Sequence, residues 1–183
     1  HITIPFPIRT LQIERRPHRA HAGGDGDRVR EALAQVDMFR ILNEEEMAAV
    51  AAEAEIVDYP AGAVVAAEGE VGRSMFVILR GSVDIQKDGK KVAALGRHDL
   101  FGEIALFTGE PRGATVLAAG PLQVLVIQKA GFDAILKRNE DFIAKIEQMV
   151  EHRLRATAGA GADDAKADSK RSILGRIRKY LLG

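Results

Sequence analysis

The chain has 183 residues, with 26 Lys plus Arg balancing 26 Asp plus Glu, no Cys and no Trp. A net charge near zero gives no overall pull toward a polyanion, and 5% aromatic residues give few platforms for stacked bases, so nucleic acid is not an expected partner. Without cysteine there is no disulfide scaffold, thiolate nucleophile or thiolate metal site, and no run approaches the roughly 18 apolar residues of a membrane span.

Residues 1–14, HITIPFPIRTLQIE, alternate polar and apolar in part. Pro5 and Pro7 bar them from the centre of a sheet, so they read as an edge strand that needs a partner. Residues 15–27 are polar and Gly-rich, the composition of a linker. Asp25 or Asp27 can cap a helix from about Arg28, with Val29, Leu33, Val36 and Phe39 at helical spacing. Asn43 can cap a second helix with Glu44, Glu45 and Glu46 in its first turn and Met47, Val50 and Ala51 as apolar positions.

From Glu55 the period changes to two, and Gly and Pro punctuate a series of short strands. Residues 75–79, MFVIL, form the most hydrophobic of them, and Lys87-Asp88-Gly89-Lys90 has the composition of a hairpin turn. A short helical turn is expected after Gly102, then strands over 114–119 and 122–128. Residues 129–136 read as one short element. Asn139 or Asp141 then caps a helix whose apolar face is Phe142, Ile143, Ile146, Met149, Val150 and Leu154. Residues 157–183 read as a flexible tail: an Ala-, Gly- and Asp-rich stretch with little to bury, then a basic amphipathic helix carrying Ile173, Leu174, Ile177, Tyr180 and Leu181.

The stretch FGEIALFTGEPRGATV, residues 101–116, closely resembles the phosphate-binding cassette of the cyclic nucleotide-binding domain family, and YPAG…EGE.G..MFVI..G.V.I upstream resembles the family's first strands. The resemblance covers residues 39–156, and the expected domain runs from 28 to 156. It implies a mainly β fold, a β-roll or jelly-roll barrel with N-terminal helices and a C-terminal lid helix.

It also implies a site built from Phe101, Gly102, Glu103, Ile104, Ala105, Arg112, Gly113, Ala114 and Thr115, with Arg153 of the lid near the purine. By that likeness Glu103 accepts from the ribose 2′-OH and Ala105 lines the pocket near the sugar-phosphate. Chemistry agrees with it: a guanidinium fork suits the two exocyclic oxygens of a cyclic phosphate. Without the resemblance, Arg112 and Glu103 are ordinary exposed surface charges or a plain ion pair. In cGMP-selective relatives the residue after the cassette arginine tends to be Thr; here it is Gly113, which favours cAMP and leaves cGMP possible.

No catalytic motif accompanies the cassette. The histidines stand at 1, 18, 21, 98 and 152, with no paired metal-ligand spacing, and GEVGRS lacks the end of a P-loop. No enzymatic activity, no catalytic residue, no metal and no cofactor beyond the nucleotide ligand is therefore expected.

The remaining question is the output. Residues 157–183 are too few for a helix-turn-helix, and one copy of the cassette without a convincing inhibitory basic motif fits a kinase regulatory subunit poorly. Residues 2–13, ITIPFPIRTLQI, resemble the last strand of the cytoplasmic domain of MscS-like small-conductance mechanosensitive channels. That resemblance implies a C-terminal piece of a longer channel: an inner-membrane protein, this part on the cytoplasmic side, the pore domain of the same polypeptide as partner, and a homo-oligomer in the full protein. The alternative is a cAMP-binding module of another signalling protein, such as a kinase regulatory or transcription-regulator-like one.

Overall fold

The computed structural model describes residues 25–157. In chain order they form α1 (Asp25–Ala34), a 3-10 turn (Asp37–Phe39), α2 (Glu44–Ala52), β1 (Ala54–Tyr59), β2 (Val64–Ala66), β3 (Ser74–Arg80), β4 (Val83–Lys87), β5 (Lys90–Leu95), β6 (Leu100–Phe101) and α3 (Glu103–Thr108). Then follow β7 (Thr115–Ala118), β8 (Leu122–Gln128), a 3-10 turn (Lys129–Phe132), α4 (Asp133–Leu136) and α5 (Glu140–Thr157). The expected edge strand at 1–14, the linker up to residue 24 and the tail from 158 lie outside the described residues.

The strands make two four-stranded antiparallel sheets, ordered β1-β8-β3-β6 and β2-β7-β4-β5. The expectation of a mainly β, jelly-roll barrel is therefore corrected: this is a mixed α/β fold whose sheets do not close, and its longest element is a helix, α5. The reason is local. Closure requires a ladder between edge strands, yet β6 ends after two residues because Gly102 takes a left-handed φ of 83° and turns the chain into α3. Between β1 and β2, Pro60 and Gly62 (φ 77°) likewise break the strand direction.

Three layers result: helices, the β1-β8-β3-β6 sheet, and the second sheet. Met75 and Val77 of β3 face the helices with Leu125 and Ile127 of β8, while Phe76, Ile78, Val124 and Val126 face the other sheet. A strand buried on both faces needs no polar alternation, which is why MFVIL reads as a continuous apolar run. In the helical layer Phe132 is the hub: it stacks on Phe39 and Phe142 at 6.2 and 6.0 Å and meets Phe107 edge-on at 5.3 Å. Each such ring contributes about 1.5–3 kcal/mol by burial. Together they join the N-terminal turn, α3 and α5.

Local signals set the ends of several elements. Asn43 accepts from Glu46 N at 2.9 Å and Glu46 accepts from Asn43 N at 3.0 Å, a complete capping box. The Asp88-Gly89 turn has positive φ at both residues (50° and 74°), as a tight hairpin requires. Helix α1 begins at Asp25 and stops at Ala34, so Val36 and Phe39 lie beyond it; both are nevertheless buried, carried by the 3-10 turn.

Candidate functional site

Strand β6 and helix α3 carry the first half of the cassette, and the loop leading to β7 carries the second. The loop between β2 and β3 holds that second half by its backbone. Arg112 N donates to Glu70 O at 2.7 Å, Gly69 N donates to Arg112 O at 2.8 Å, and Val71 and Pro111 form a bridge.

Arg112 is not the exposed charge of the surface reading; it is 7% exposed. Its Nη1 donates to Gly102 O at 2.8 Å, and its Nη2 donates to Ser74 O at 2.7 Å and Ser74 Oγ at 3.3 Å. The guanidinium carbon stands 5.5 Å from the centre of the Phe76 ring, which stacks on Phe101 at 4.8 Å. Burial lowers its pKa, and the charges of Glu70 and Glu103 oppose that shift. Its Nε is buried with no acceptor among the described residues, a donor left over.

Glu103 opens α3 and is 3% exposed. Its Oε1 lies 3.6 Å from Arg153 Nε of α5. Burial pushes its carboxyl up, while Arg153, its own backbone N–H and Arg112 pull it down. Arg153 Nη2 also donates to Leu100 O at 2.8 Å, so the last helix is tied to the cassette from both sides of Gly102.

The other expected residues fall around this pair. Phe101 packs in the core between the sheets, Ile104 packs at the helical core, and Ala105 is buried with its carbonyl accepting from Gly109 N. Gly113 is exposed, with open space where a side chain would stand. Ala114 is half-buried, and Thr115 Oγ accepts from Glu68 N at 3.0 Å. Gly72, Ser74 and Phe76 are companions of Arg112 that the cassette motif does not contain; their one signal in the sequence is that glycines 69 and 72 punctuate the strands just before MFVIL. Among the described residues an open depression of about 570 Å³ lies between α1 and α2, lined by Arg30, Leu42 and Met47, and no cassette residue lines it.

Buried, oppositely charged Arg112 and Glu103 flanking one short helix provide an anion donor and a hydroxyl acceptor side by side. The family model for the cyclic nucleotide-binding domain matches residues 56–139. The chain carries a cyclic nucleotide-binding domain of that superfamily.

Over 114 residues it is 35% identical to a cGMP-dependent protein kinase of Toxoplasma gondii, covering 62% of this chain and 12% of the kinase. Over 157 residues it is 27% identical to the CRP-like cAMP-activated global transcriptional regulator of Mycobacterium tuberculosis, covering 83% of this chain and 68% of the regulator. The structure of the regulatory domain of Toxoplasma gondii PKA with cAMP superposes with a TM-score of 0.58 at 26% identity, over 63% of this chain and 46% of that one. The domain corresponds to regulatory, non-catalytic modules.

The expected inner-membrane location is corrected by these matches, which are to kinase and transcription-regulator proteins rather than to parts of a membrane channel. Among the described residues no helix is long and apolar enough to cross a membrane.

Proposed function

We propose that the domain senses cAMP, with cGMP a possible second ligand, and regulates an output in the protein that contains it. The observation that carries this is the buried Arg112 with its unpartnered Nε, one helix start away from the buried Glu103. In this reading Arg112 takes the cyclic phosphate, together with backbone N–H groups near Ala105, Gly113 and Ala114, and Glu103 takes the ribose 2′-OH. Phe101, Gly102, Ile104 and Thr115 shape the cassette, Arg153 links it to α5, and the sensing unit spans residues 28–156.

The Mycobacterium regulator is cAMP-activated and the Toxoplasma regulatory domain is seen with cAMP, which supports that ligand, while the Toxoplasma kinase is cGMP-dependent, which keeps cGMP possible. They support a kinase-regulatory or transcription-regulator-like output. The reading as the sensor of an MscS-like ion channel, with its pore domain and homo-oligomer, rests on residues 2–13, outside the described part.

Ligand acts by differential affinity for two arrangements of α5 against the cassette. Calorimetry on the 183-residue chain tests the reading: saturable binding of one cAMP per chain is expected. Absence of binding at millimolar ligand, with the chain folded by circular dichroism, overturns it.

A further inference from the structure

We propose that Gly72 is the positioning residue for Arg112, and that its missing side chain is what keeps the guanidinium in the cassette. Gly72 is buried, and its φ lies outside the left-handed region, so backbone conformation does not explain a glycine there. Space does. A Cβ on Gly72 would run into Cζ and Nε of Arg112. Gly62, Gly69 and Gly89 are the opposite case, with positive φ and open space around the missing side chain. Gly102 also crowds Arg112, but its φ of 83° gives it a second reason to be glycine.

Arg112 has no room to retreat. Its N–H and its carbonyl are both bonded to the β2–β3 loop, which is the loop that delivers Gly72. The guanidinium is itself held by Gly102 O and Ser74 O. A methyl at 72 therefore expels the guanidinium and breaks its bonds to Ser74 O and to Gly102 O, which keeps only the donation from Leu106 N. The dependence of ligand affinity on Gly72 rests on the cyclic nucleotide reading above; the placement of Arg112 does not.

The test is Gly72→Ala, with Arg112→Ala and the double variant, all in the 183-residue chain with cAMP as probe. Gly72→Ala weakens binding at least tenfold beside Arg112, and less than twofold in the Arg112→Ala background. Wild-type affinity in a folded Gly72→Ala chain, or an equal loss in both backgrounds, overturns the proposal. If Gly72→Ala alone does not fold, the double variant does, because the obstructing group is gone; failure of both overturns it.

An NMR readout separates this from failure of the ligand assignment. The Arg112 Nε–H signal, identified by its loss in Arg112→Lys, exchanges slowly in the free wild-type chain and rapidly in Gly72→Ala. Equal protection in the two overturns the positioning role even if no cyclic nucleotide binds.

Discussion

Glu103 of α3 and Arg153 of α5 form an ion pair at 3.6 Å, so the carboxylate proposed to receive the ribose already engages the final helix in the free protein. Losing one partner of a fully buried pair costs about 3–5 kcal/mol. Here one third of the Arg153 side chain is exposed, and solvent screening reduces the figure. Arg153→Ala is expected to lower unfolding free energy by about 1–2 kcal/mol, including the donor lost at Leu100 O. Urea titration of the two proteins checks this; an unchanged urea midpoint at unchanged slope means the pair does not stabilise the fold.

The same pair gives a pH dependence with a definite sign. Burial raises the Glu103 carboxyl above its ordinary 4.5. Between the ordinary and the raised value the folded protein holds a proton that the unfolded chain has released, so this group's contribution is full below 4.5 and falls as pH rises through the folded value. Glu103→Gln does not titrate. Its stability relative to wild type should therefore grow with pH through that window, and Arg153→Ala should extend the window upward. Urea melts at stepped pH values decide it: parallel curves for wild type and Glu103→Gln contradict the assignment.

Arg112→Ala acts on the fold as well as on the ligand. The variant removes the charged donors of Ser74 O and of Gly102 O, which still accepts from Leu106 N, at a cost of about 1–3 kcal/mol. Cyclic nucleotide affinity should fall by about 2–4 kcal/mol, the lower part of the scale for truncating one partner of a buried charge pair. Thermal melts of the free proteins separate the effects, since the first loss appears without ligand. Unchanged stability there means the buried guanidinium is not anchoring these strands.

Some of this could be read before any coordinates, for physical reasons. Asn43 with Glu46, and Asp88 with Gly89, each act within three residues, so composition alone specifies the capping box and the hairpin turn. The cassette is contiguous, so Glu103 and Arg112 stand in one motif nine residues apart. Ser74, Gly72 and Phe76 meet Arg112 from 36 to 40 residues away, through sheet pairing that local pattern does not encode. Likewise the run MFVIL announces burial on both faces but not what lies on each. The end of α1 was missed because Val36 and Phe39 keep the apolar spacing after the helix has stopped.

His98 holds a φ of 71° on an exposed loop, a left-handed conformation that favours glycine. His98→Gly removes that strain, offset in part by greater freedom of the unfolded chain. A net gain of about 0.5–1 kcal/mol is expected by denaturant unfolding, and a loss would mean the imidazole makes a compensating contact.

Gly113 decides whether base preference is set where the resemblance places it. A threonine would clash there only if the glycine held a positive φ, but its φ lies outside that region and no atom stands within 4 Å of an added Cβ. Gly113→Thr should therefore fold as wild type, and a change in the ratio of the two affinities comes from the new hydroxyl. A guanine brings a donor amine that wants an acceptor, and leaving it unpaired in a closed site costs about 1–3 kcal/mol. Adenine has no amine at that position of the base. Wild type should accordingly bind cAMP at least as tightly as cGMP, and Gly113→Thr should improve cGMP relative to cAMP by about 1 kcal/mol, the net value of one hydrogen bond. The ratio of the two affinities is the readout, because any small stiffening of the loop weakens both ligands together. Competition titrations of both nucleotides on both proteins measure it. A clear cGMP preference in wild type, or a ratio that does not move toward cGMP in the folded variant, moves the selectivity determinant away from position 113.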